Sequence, residues 1–347
     1  MEQPIGSWGW GRSQVWRGAM AFALVAGVLV GSGVGGSTTA VAEPGDIAEP
    51  LVVRAPDVPT VGAPPQPDHL AAARLLKENK NATPLGTNDF GCRPTAAHPR
   101  PVVLAHGTDS TAYSDWSAIG PQLVAAGFCV FALNYGGAPG ADTYGTEDLR
   151  ASAQQIGMFV DRVLAATGAA KVDLVGFSQG ANVTRLYTNK LGGAAKVAQW
   201  VGVASPSYGG VMYGLVPVAQ VIPGALDVFA RVTSTAAVQQ AQGSPIMLEL
   251  NAGGDTVPGV RYVTIGSRVD EMIQPFSNIA LRGAGAENIV VQDLCPANLT
   301  GHFHMVYDPF VQQLVLRALD PVHAPTPTCA AVPLGTGIPQ VIIAGNS

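Results

Sequence analysis

The stretch of sequence that decides the fold is Val172-Asp-Leu-Val-Gly-Phe-Ser178-Gln-Gly-Ala-Asn-Val-Thr-Arg-Leu-Tyr187. An apolar run typical of a buried strand leads into the pattern G-x-S-x-G, and a helical pattern follows it. A serine on so sharp a turn requires glycine on both sides, because side chains there would collide with the strand and the helix. The turn exposes the hydroxyl of Ser178 and points the helix N-terminus at the same place. Ser178 is therefore the candidate nucleophile.

Short apolar segments alternate with helical ones on both sides of this turn. The segments predicted as strands are Val102–Ala105, Cys129–Leu133, Val172–Gly176, Trp200–Ala204, Ile246–Leu250, Tyr262–Ile265 and Ile289–Gln292. Their nearly continuous apolar character indicates strands that are buried on both faces, as in a parallel sheet. The sequence therefore predicts an α/β fold, a single domain with a mostly parallel central sheet and helices on both of its faces.

Two of the helices have ends that the sequence predicts. Thr146 is placed to cap a helix with a buried stripe of apolar residues, and Gly168 is placed to terminate it. Asp308 is placed to cap the last helix, in which Pro309 takes the first position.

The composition excludes several classes of protein. Hydrophobic residues make up 47% of the 347 residues, too many for a disordered chain. Charged residues make up only 12%, against roughly 25% in an average domain. With a net charge of −5 the chain lacks the basic character that a phosphate backbone requires, so we expect no nucleic-acid partner.

The N-terminus has the pattern of a secretory signal peptide. A basic region with Arg12 and Arg17 precedes the apolar run Ala19–Val30, and small residues follow up to Ala42. Cleavage is expected after Ala42, which makes the protein secreted. A stable transmembrane anchor is not expected, because Gly31–Gly36 interrupts the apolar run before it reaches the length of a span.

The sequence suggests four regions. Residues 1–42 are the expected signal peptide, and residues 43–69 form a Pro-rich N-terminal segment that is extended or wraps the domain. Residues 70–330 hold the catalytic domain, and residues 331–347 form a C-terminal tail.

The four cysteines, Cys92, Cys129, Cys295 and Cys329, all follow the expected cleavage site. Their even number in an exported protein predicts two disulfide bonds, with three possible connectivities. No C-x-x-C pair is present, so neither a zinc site nor a redox site is expected.

An oxyanion hole is predicted from the segment that ends in His106-Gly107-Thr108. This segment follows an early strand, and its loop can bring a backbone N–H next to the serine. The N–H groups of Thr108 and Gln179 would then stabilise the oxyanion. His106 precedes the serine in the chain and ends the strand, so it is interpreted as structural support.

The general base is sought among the remaining histidines. His69 and His98 lie in Pro-rich segments before the core, and His323 lies in the tail beyond the last helix. That leaves His302 and His304, both in the loop between the last strand and the last helix. His302 is preferred as the base, and His304 is expected to pack beside it.

The carboxylate that orients the base should lie between the serine and the histidine, after a late strand. Asp270 follows the strand Tyr262–Ile265 by a few residues and is preferred. Asp255 is the alternative, although it lies in a Gly-rich turn.

Several motifs together resemble those of one family. They are Phe90-Gly-Cys92-Arg-Pro, His98-Pro-Arg-Pro-Val-Val-Leu-Ala-His106-Gly107-Thr108, Gly127-Phe-Cys129-Val-Phe-Ala-Leu-Asn-Tyr135-Gly, Gly176-Phe-Ser178-Gln-Gly180, Asp255-Thr-Val-Pro-Gly-Val-Arg-Tyr262, the segment around Asp270, and Gly301-His302 with Tyr307-Asp-Pro. Across residues 70–320 the chain resembles the secreted bacterial lipases and esterases of the α/β-hydrolase fold, specifically the actinobacterial triacylglycerol-lipase group.

The resemblance implies a set of roles. It implies a catalytic triad of Ser178, Asp270 and His302, an oxyanion hole at Thr108 and Gln179, and a disulfide bond between Cys92 and Cys129. In that group an acidic residue often precedes the catalytic histidine, whereas this chain has Gly301 there.

We therefore expect a secreted serine ester hydrolase that cleaves apolar carboxylic esters such as acylglycerols, without a metal or an organic cofactor. The expected partner is a lipid or other apolar ester substrate, at a lipid–water interface. Alternatives that use the same triad are an envelope acyltransferase and a cutinase or polyester hydrolase, and a further alternative is a non-catalytic envelope protein.

Residues 208–229 are nearly devoid of polar side chains, so we expect an apolar wall or lid over Ser178, or else a buried core helix. The sequence does not indicate an oligomeric state.

Overall fold

Six parallel strands form the central sheet in residues 53–210 and 234–346, the part of the chain that the computed structural model describes. In chain order the strands are β1 (Val61–Ala63), β2 (Ala82–Pro84), β3 (Val102–Ala105), β4 (Val130–Leu133), β5 (Val172–Phe177), β6 (Val197–Val203), β7 (Arg261–Gly266) and β8 (Glu287–Val290). Strands β1 and β2 pair with each other in a separate parallel ribbon. The remaining strands form the central sheet of the expected α/β fold.

The helices lie between and beyond these strands. They are α1 (His69–Glu78), α2 (Ala112–Trp116), α3 (Ile119–Ala125), α4 (Leu149–Thr167), α5 (Gln179–Lys190), α6 (Thr235–Gln239), α7 (Pro245–Asn251), α8 (Val291–Leu294), α9 (Pro309–Leu319) and α10 (Ile338–Asn346). In the part of the chain described, none of the helices is both long and apolar enough to cross a membrane.

The order of the strands places the functional end of the sheet. The strand order in the central sheet is β4-β3-β5-β6-β7-β8. The chain therefore moves toward one edge of the sheet from β3 to β4, and toward the opposite edge from β5 onward. In α/β sheets a crevice opens at the carboxyl ends of the strands where this reversal occurs. Ala105, the last residue of β3, pairs with Gly176 near the end of β5. The loops that follow β3 and β5 therefore meet in that crevice.

The core lies on both faces of the sheet, as β3 illustrates. Val102 and Leu104 pack into the hydrophobic cluster on one face, and Val103 and Ala105 pack into the cluster on the other. Successive side chains of a strand point to opposite faces, so a strand covered on both sides must be apolar at every position. This burial explains why the strands appear in the sequence as continuous apolar runs.

The strand predicted at Ile246–Leu250 is wrong, because these residues belong to helix α7. The side chain of Ser244 caps the helix by accepting the Met247 N–H, and Pro245 occupies the first turn. Ile246, Met247 and Leu250 are buried, a spacing that one face of a helix produces. The short apolar run did not distinguish the two structures, whereas the Ser-Pro pair before it is a helix start.

Further boundaries differ from the prediction, and β6 begins at Val197 instead of Trp200. Asp148, not Thr146, caps α4, because its carboxylate accepts the N–H groups of Arg150 and Ala151. The strand predicted at Ile289–Gln292 ends at Val290 as β8, and helix α8 follows at once. Two predicted helix ends are confirmed: Gly168 ends α4 with φ 71°, and Asp308 caps α9.

The segments outside the central sheet pack against it or against each other. Asp57 forms an antiparallel bridge with Asn134, which follows β4, so the described part of the Pro-rich segment runs along the domain. Helix α10 lies within the predicted C-terminal tail and contacts α1 and the turn His302–His304. The expected signal peptide and residues 211–229 of the expected lid lie outside the described residues.

Two disulfide bonds are present, in agreement with the number expected. One joins Cys92 to Cys129 beside β4, and the other joins Cys295 after α8 to Cys329.

Candidate active site

Ser178 lies on a strained turn between β5 and α5. Its φ of 51° is in the left-handed region that disfavours side chains. A Cβ atom on Gly180 would lie 2.1 Å from the carbonyl oxygen of Ala105, and one on Gly176 would lie 2.3 Å from the Ala181 nitrogen. The close packing of helix on strand therefore requires both glycines, and it presents the Ser178 hydroxyl at the crevice.

His302 joins this serine to a carboxylate. Its Nε2 lies 3.1 Å from Ser178 Oγ, and its Nδ1 lies 2.9 Å from Asp270 Oδ2. A carboxylate only accepts hydrogen bonds, so the ring proton is on Nδ1 and the Nε2 lone pair faces the serine hydroxyl. This arrangement allows His302 to accept the Ser178 proton when the oxygen attacks.

The carboxylate of Asp270 is fixed in place by the backbone that follows it. Its Oδ1 accepts the N–H groups of Met272 and Ile273, at 2.9 Å and 2.8 Å, which leaves Oδ2 for His302. Asp270 is only 1% exposed. The short turn after β7 thus delivers one oxygen in one orientation.

The alternative acid, Asp255, lies in a different network. Its carboxylate accepts the Tyr208 hydroxyl at 2.7 Å and the backbone N–H groups of Arg282 and Gly283. These contacts hold two loops together. The structure therefore brings Asp270, and not Asp255, to the imidazole of His302.

His304, the alternative base, lies two residues further along the same 3₁₀ turn and is partly buried. Burial lowers the pKa of its imidazole below the ordinary value, despite the carboxylates of Asp308 and Asp68 nearby. The imidazole beside the Ser178 hydroxyl is that of His302.

The charges around His302 favour its protonated form. Burial by itself lowers the pKa of the imidazole, but the carboxylates of Asp270, Glu271 and Asp115 together outweigh that effect. The pKa of His302 is consequently raised above 6.5. An imidazolium that forms during a reaction is stabilised in the same way.

The residues expected to form an oxyanion hole lie next to each other. Gln179 is the first residue of α5, and the first N–H groups of a helix have no partner within the helix. The Thr108 hydroxyl donates to Gln179 Oε1 at 2.7 Å, which ties the loop after β3 to this helix. The buried Gln240 supports both residues, since its Nε2 lies 2.8 Å from Gln179 Oε1 and 3.3 Å from Thr108 Oγ1.

His106 supports the same loop from within. Its Nε2 accepts the N–H of Tyr135 at 3.3 Å, so its proton is on Nδ1, which donates to the Gly107 carbonyl at 2.8 Å. Burial lowers the pKa of His106 to about 4, which keeps the ring neutral. The Gly107 carbonyl and the Thr108 N–H belong to one planar peptide group, so fixing one orients the other. His106 therefore has the supporting role that the sequence suggested.

Three polar side chains near the site were not predicted from the sequence. Gln240 is one, and Glu271, which accepts the backbone N–H of His302, is another. The third is Asp115, which accepts the N–H of Gly107. Each acts through a contact with a residue 8, 31 or 61 positions away in the chain, and no local pattern marks such a residue.

A metal site was not expected. Among the described side chains, no group of three or more His, Cys, Asp or Glu residues is arranged to hold a metal ion.

Comparison with known proteins gives one family. Residues 99–315 match the family model described as Lipase (class 2). None of the curated proteins matches this chain significantly.

Solved structures with a similar fold include two lipases. Lipase B from Aspergillus fumigatus has a TM-score of 0.54 and 19% sequence identity, over 74% of this chain and 64% of that one. Lipase BlEst2 from Bacillus licheniformis in its propeptide form has a TM-score of 0.51 and 15% identity, over 69% of this chain and 54% of that one. The chain thus spans less than two thirds of the length of either protein. At these identities the likeness establishes the α/β-hydrolase fold.

Proposed function

The chain belongs to the class 2 lipase family, and from that premise we propose that it is a serine ester hydrolase with a Ser178-His302-Asp270 triad. The observation that carries the proposal is the hydrogen-bonded series from Ser178 Oγ through both ring nitrogens of His302 to Asp270, with distances of 3.1 Å and 2.9 Å. In such a series the carboxylate orients the imidazole, and the imidazole accepts the proton of the serine hydroxyl.

In the first half of the reaction, Ser178 Oγ attacks the carbonyl carbon of the ester while its proton moves to Nε2 of His302. Asp270 holds the ring in the required tautomer and stabilises the imidazolium. The new oxyanion accepts hydrogen bonds from the N–H groups of Thr108 and Gln179, and the proximity of these two residues, joined by the hydrogen bond between their side chains, supports this role. His302 then gives its proton to the leaving alcohol, and an acyl group remains on Ser178.

In the second half, water attacks the acyl-enzyme from the side that the alcohol has left. His302 accepts the water proton at Nε2, and the oxyanion forms again in the same place. Collapse of this intermediate breaks the bond to Ser178 Oγ, which recovers its proton from His302. The carboxylic acid leaves, and the enzyme returns to its starting state.

For the substrate we propose an apolar carboxylic ester, such as an acylglycerol. Two solved structures with this fold are named lipases, and the chain is poor in charge, with 12% charged residues. We propose that the acyl chain of such an ester binds in an apolar groove beside Ser178.

For the location we propose secretion, with cleavage after Ala42. The two disulfide bonds support this, because such bonds persist in oxidising compartments.

A series of p-nitrophenyl esters from acetate to palmitate, at a fixed detergent concentration, tests the substrate class. Each buried methylene contributes roughly 0.8 kcal/mol. We therefore expect kcat/KM to rise with chain length until the groove is filled, so that esters of medium or long acids exceed acetate. A steady fall in kcat/KM beyond butyrate would reject an apolar groove and leave a short-chain esterase.

A further inference from the structure

Asp115 lies buried beneath the loop that carries one of the proposed oxyanion donors. It belongs to α2 and is 1% exposed. Its Oδ2 accepts the backbone N–H of Gly107 and its Oδ1 accepts the hydroxyl of Ser110, each at 2.7 Å. Gly107 and Ser110 flank Thr108 and its neighbour, so one carboxylate holds both ends of the segment that presents the Thr108 amide.

The contacts of Gly107 show how strongly this peptide is restrained. Its N–H donates to Asp115, and its carbonyl accepts the Nδ1–H of His106. The Thr108 N–H shares a planar peptide group with that carbonyl. Rotation of this peptide group would therefore break at least one buried hydrogen bond.

Asp115 keeps its charge in an environment that disfavours it. Burial raises the pKa of this carboxyl to about 6, so the group is ionised at neutral pH and titrates a little below it. Among the described residues, the basic side chain within 4 Å is His69, whose Nδ1 lies 3.9 Å from Oδ1. Burial lowers the pKa of His69 to about 4, so at neutral pH this ring is uncharged and gives Asp115 no cationic partner. A buried carboxylate without a cationic partner is costly, and a site that retains one has a use for it.

The titratable groups that face Asp115 come from three elements. His69 comes from α1, Tyr135 from the loop that follows β4, and His302 and Tyr307 from the segment before α9. At neutral pH both tyrosines are neutral, because burial raises the pKa of each well above 10.0. The imidazolium of His302 is thus the cation that the charge of Asp115 stabilises.

We propose that Asp115 is a positioning residue of the oxyanion hole, and that its ionised carboxylate fixes the segment Gly107–Ser110 so that the Thr108 amide faces the developing oxyanion. The proposal rests on the ester-hydrolase function proposed above. When the carboxyl is protonated, one oxygen becomes a donor, so the Ser110 hydroxyl must reverse its hydrogen bond. The segment is then held less firmly, and the negative charge that favours the imidazolium is lost.

The test compares Asp115→Asn with a matched buried carboxylate outside the site. Asp173 is also 1% exposed, but it lies at the amino end of β5, where its Oδ1 accepts the Nε–H of Arg100 at 2.7 Å. Asp173→Asn therefore removes a buried charge without touching the segment Gly107–Ser110. The readouts are kcat and KM for p-nitrophenyl butyrate from pH 5 to 8, and the inhibition constant of an alkylboronic acid, which forms an oxyanion on the serine. We expect Asp115→Asn to lower kcat about 10-fold or more with KM nearly unchanged, because removing one oxyanion donor outright costs about 10²–10³.

Two further outcomes are specific to positioning. The boronate should bind Asp115→Asn more weakly by about the same factor as kcat falls, whereas Asp173→Asn should keep the kcat and the boronate affinity of the wild type and lose only stability. On the acid side, kcat/KM of the wild type should fall over two ionisations, whereas that of Asp115→Asn should fall over one. If Asp115 had only a structural role, Asp115→Asn would lower the melting temperature but leave the boronate affinity and the number of ionisations unchanged.

The proposal is overturned if folded Asp115→Asn has the kcat, boronate affinity and pH profile of the wild type. If Asp115→Asn does not fold, Ser110→Ala replaces it, since it removes one of the two hydrogen bonds and keeps the charge, and an unchanged kcat then rejects the proposal. A wild type that neither hydrolyses esters nor reacts with a fluorophosphonate would refute the proposed function itself, and the role of Asp115 with it.

Discussion

Glu271 occupies the space in which a side chain on Gly301 would lie. A Cβ atom on residue 301 would be 2.0 Å from Glu271 Oε2, and the same carboxylate accepts the backbone N–H of His302. The absence of a side chain at position 301 and the presence of Glu271 are thus two parts of one arrangement. Together they fix the point at which the chain enters the turn that carries His302.

Gly301→Ala should therefore impair catalysis although it adds a single methyl group. The methyl group would displace Glu271 and shift His302 relative to Ser178, and a displacement of about 1 Å can cost on the order of 10²-fold in rate. We expect kcat for p-nitrophenyl butyrate to fall by at least about 10-fold. In a Glu271→Ala background the space is free, so Gly301→Ala should cost much less there. Equal losses in both backgrounds would show that the contact is not responsible.

Asp270→Asn should abolish most of the activity, whereas Asp255→Asn should not. An amide at position 270 cannot keep the proton on Nδ1 of His302, and the loss should be on the order of 10⁴-fold in kcat. The carboxylate of Asp255 accepts the backbone N–H groups of Arg282 and Gly283. Asp255→Asn is therefore expected to lower the free energy of unfolding by about 1–3 kcal/mol with little change in kcat. Steady-state kinetics and urea unfolding of both variants give the comparison. The reverse pattern would assign the carboxylate role to Asp255.

The pH dependence of activity should follow the imidazole of His302. The base must be neutral to accept a proton, and its pKa is raised above 6.5, so kcat/KM should fall as the pH decreases through a value above 6.5. Glu271→Gln removes one of the carboxylates that raise the pKa of His302. The fall of kcat/KM should therefore occur at a lower pH in this variant. The raised pKa also contributes stability that is fully present below pH 6.5 and is lost as the pH rises through the folded-state pKa. If kcat/KM of Glu271→Gln falls at the same pH as that of the wild type, this electrostatic account is contradicted.

The sequence predicted those features that depend on local pattern. The pattern G-x-S-x-G between a strand and a helix located Ser178, and continuous apolar runs located the strands of the parallel sheet because both of its faces are buried. The run Ile246–Leu250 was assigned to a strand although it is helical, because a short run with four apolar residues fits either structure.

Contacts between distant residues could not be predicted in this way. Glu271 meets the backbone of a residue 31 positions away, and Gln240 meets Gln179 across 61 positions. Asp115 looks in the sequence like any polar residue on a short helix, and only the fold places it under Gly107. These residues act by holding others in place, so their identity is set by three-dimensional packing.

Labelling with a fluorophosphonate, followed by peptide mass spectrometry, tests the central claim most directly. The wild type should carry one adduct, on the peptide that contains Ser178, and should lose its esterase activity in proportion to labelling. Ser178→Ala should take up no label and lose on the order of 10⁶-fold in kcat, with an unchanged circular dichroism spectrum. A folded Ser178→Ala variant that retains substantial activity, or an adduct on another residue, would contradict the account.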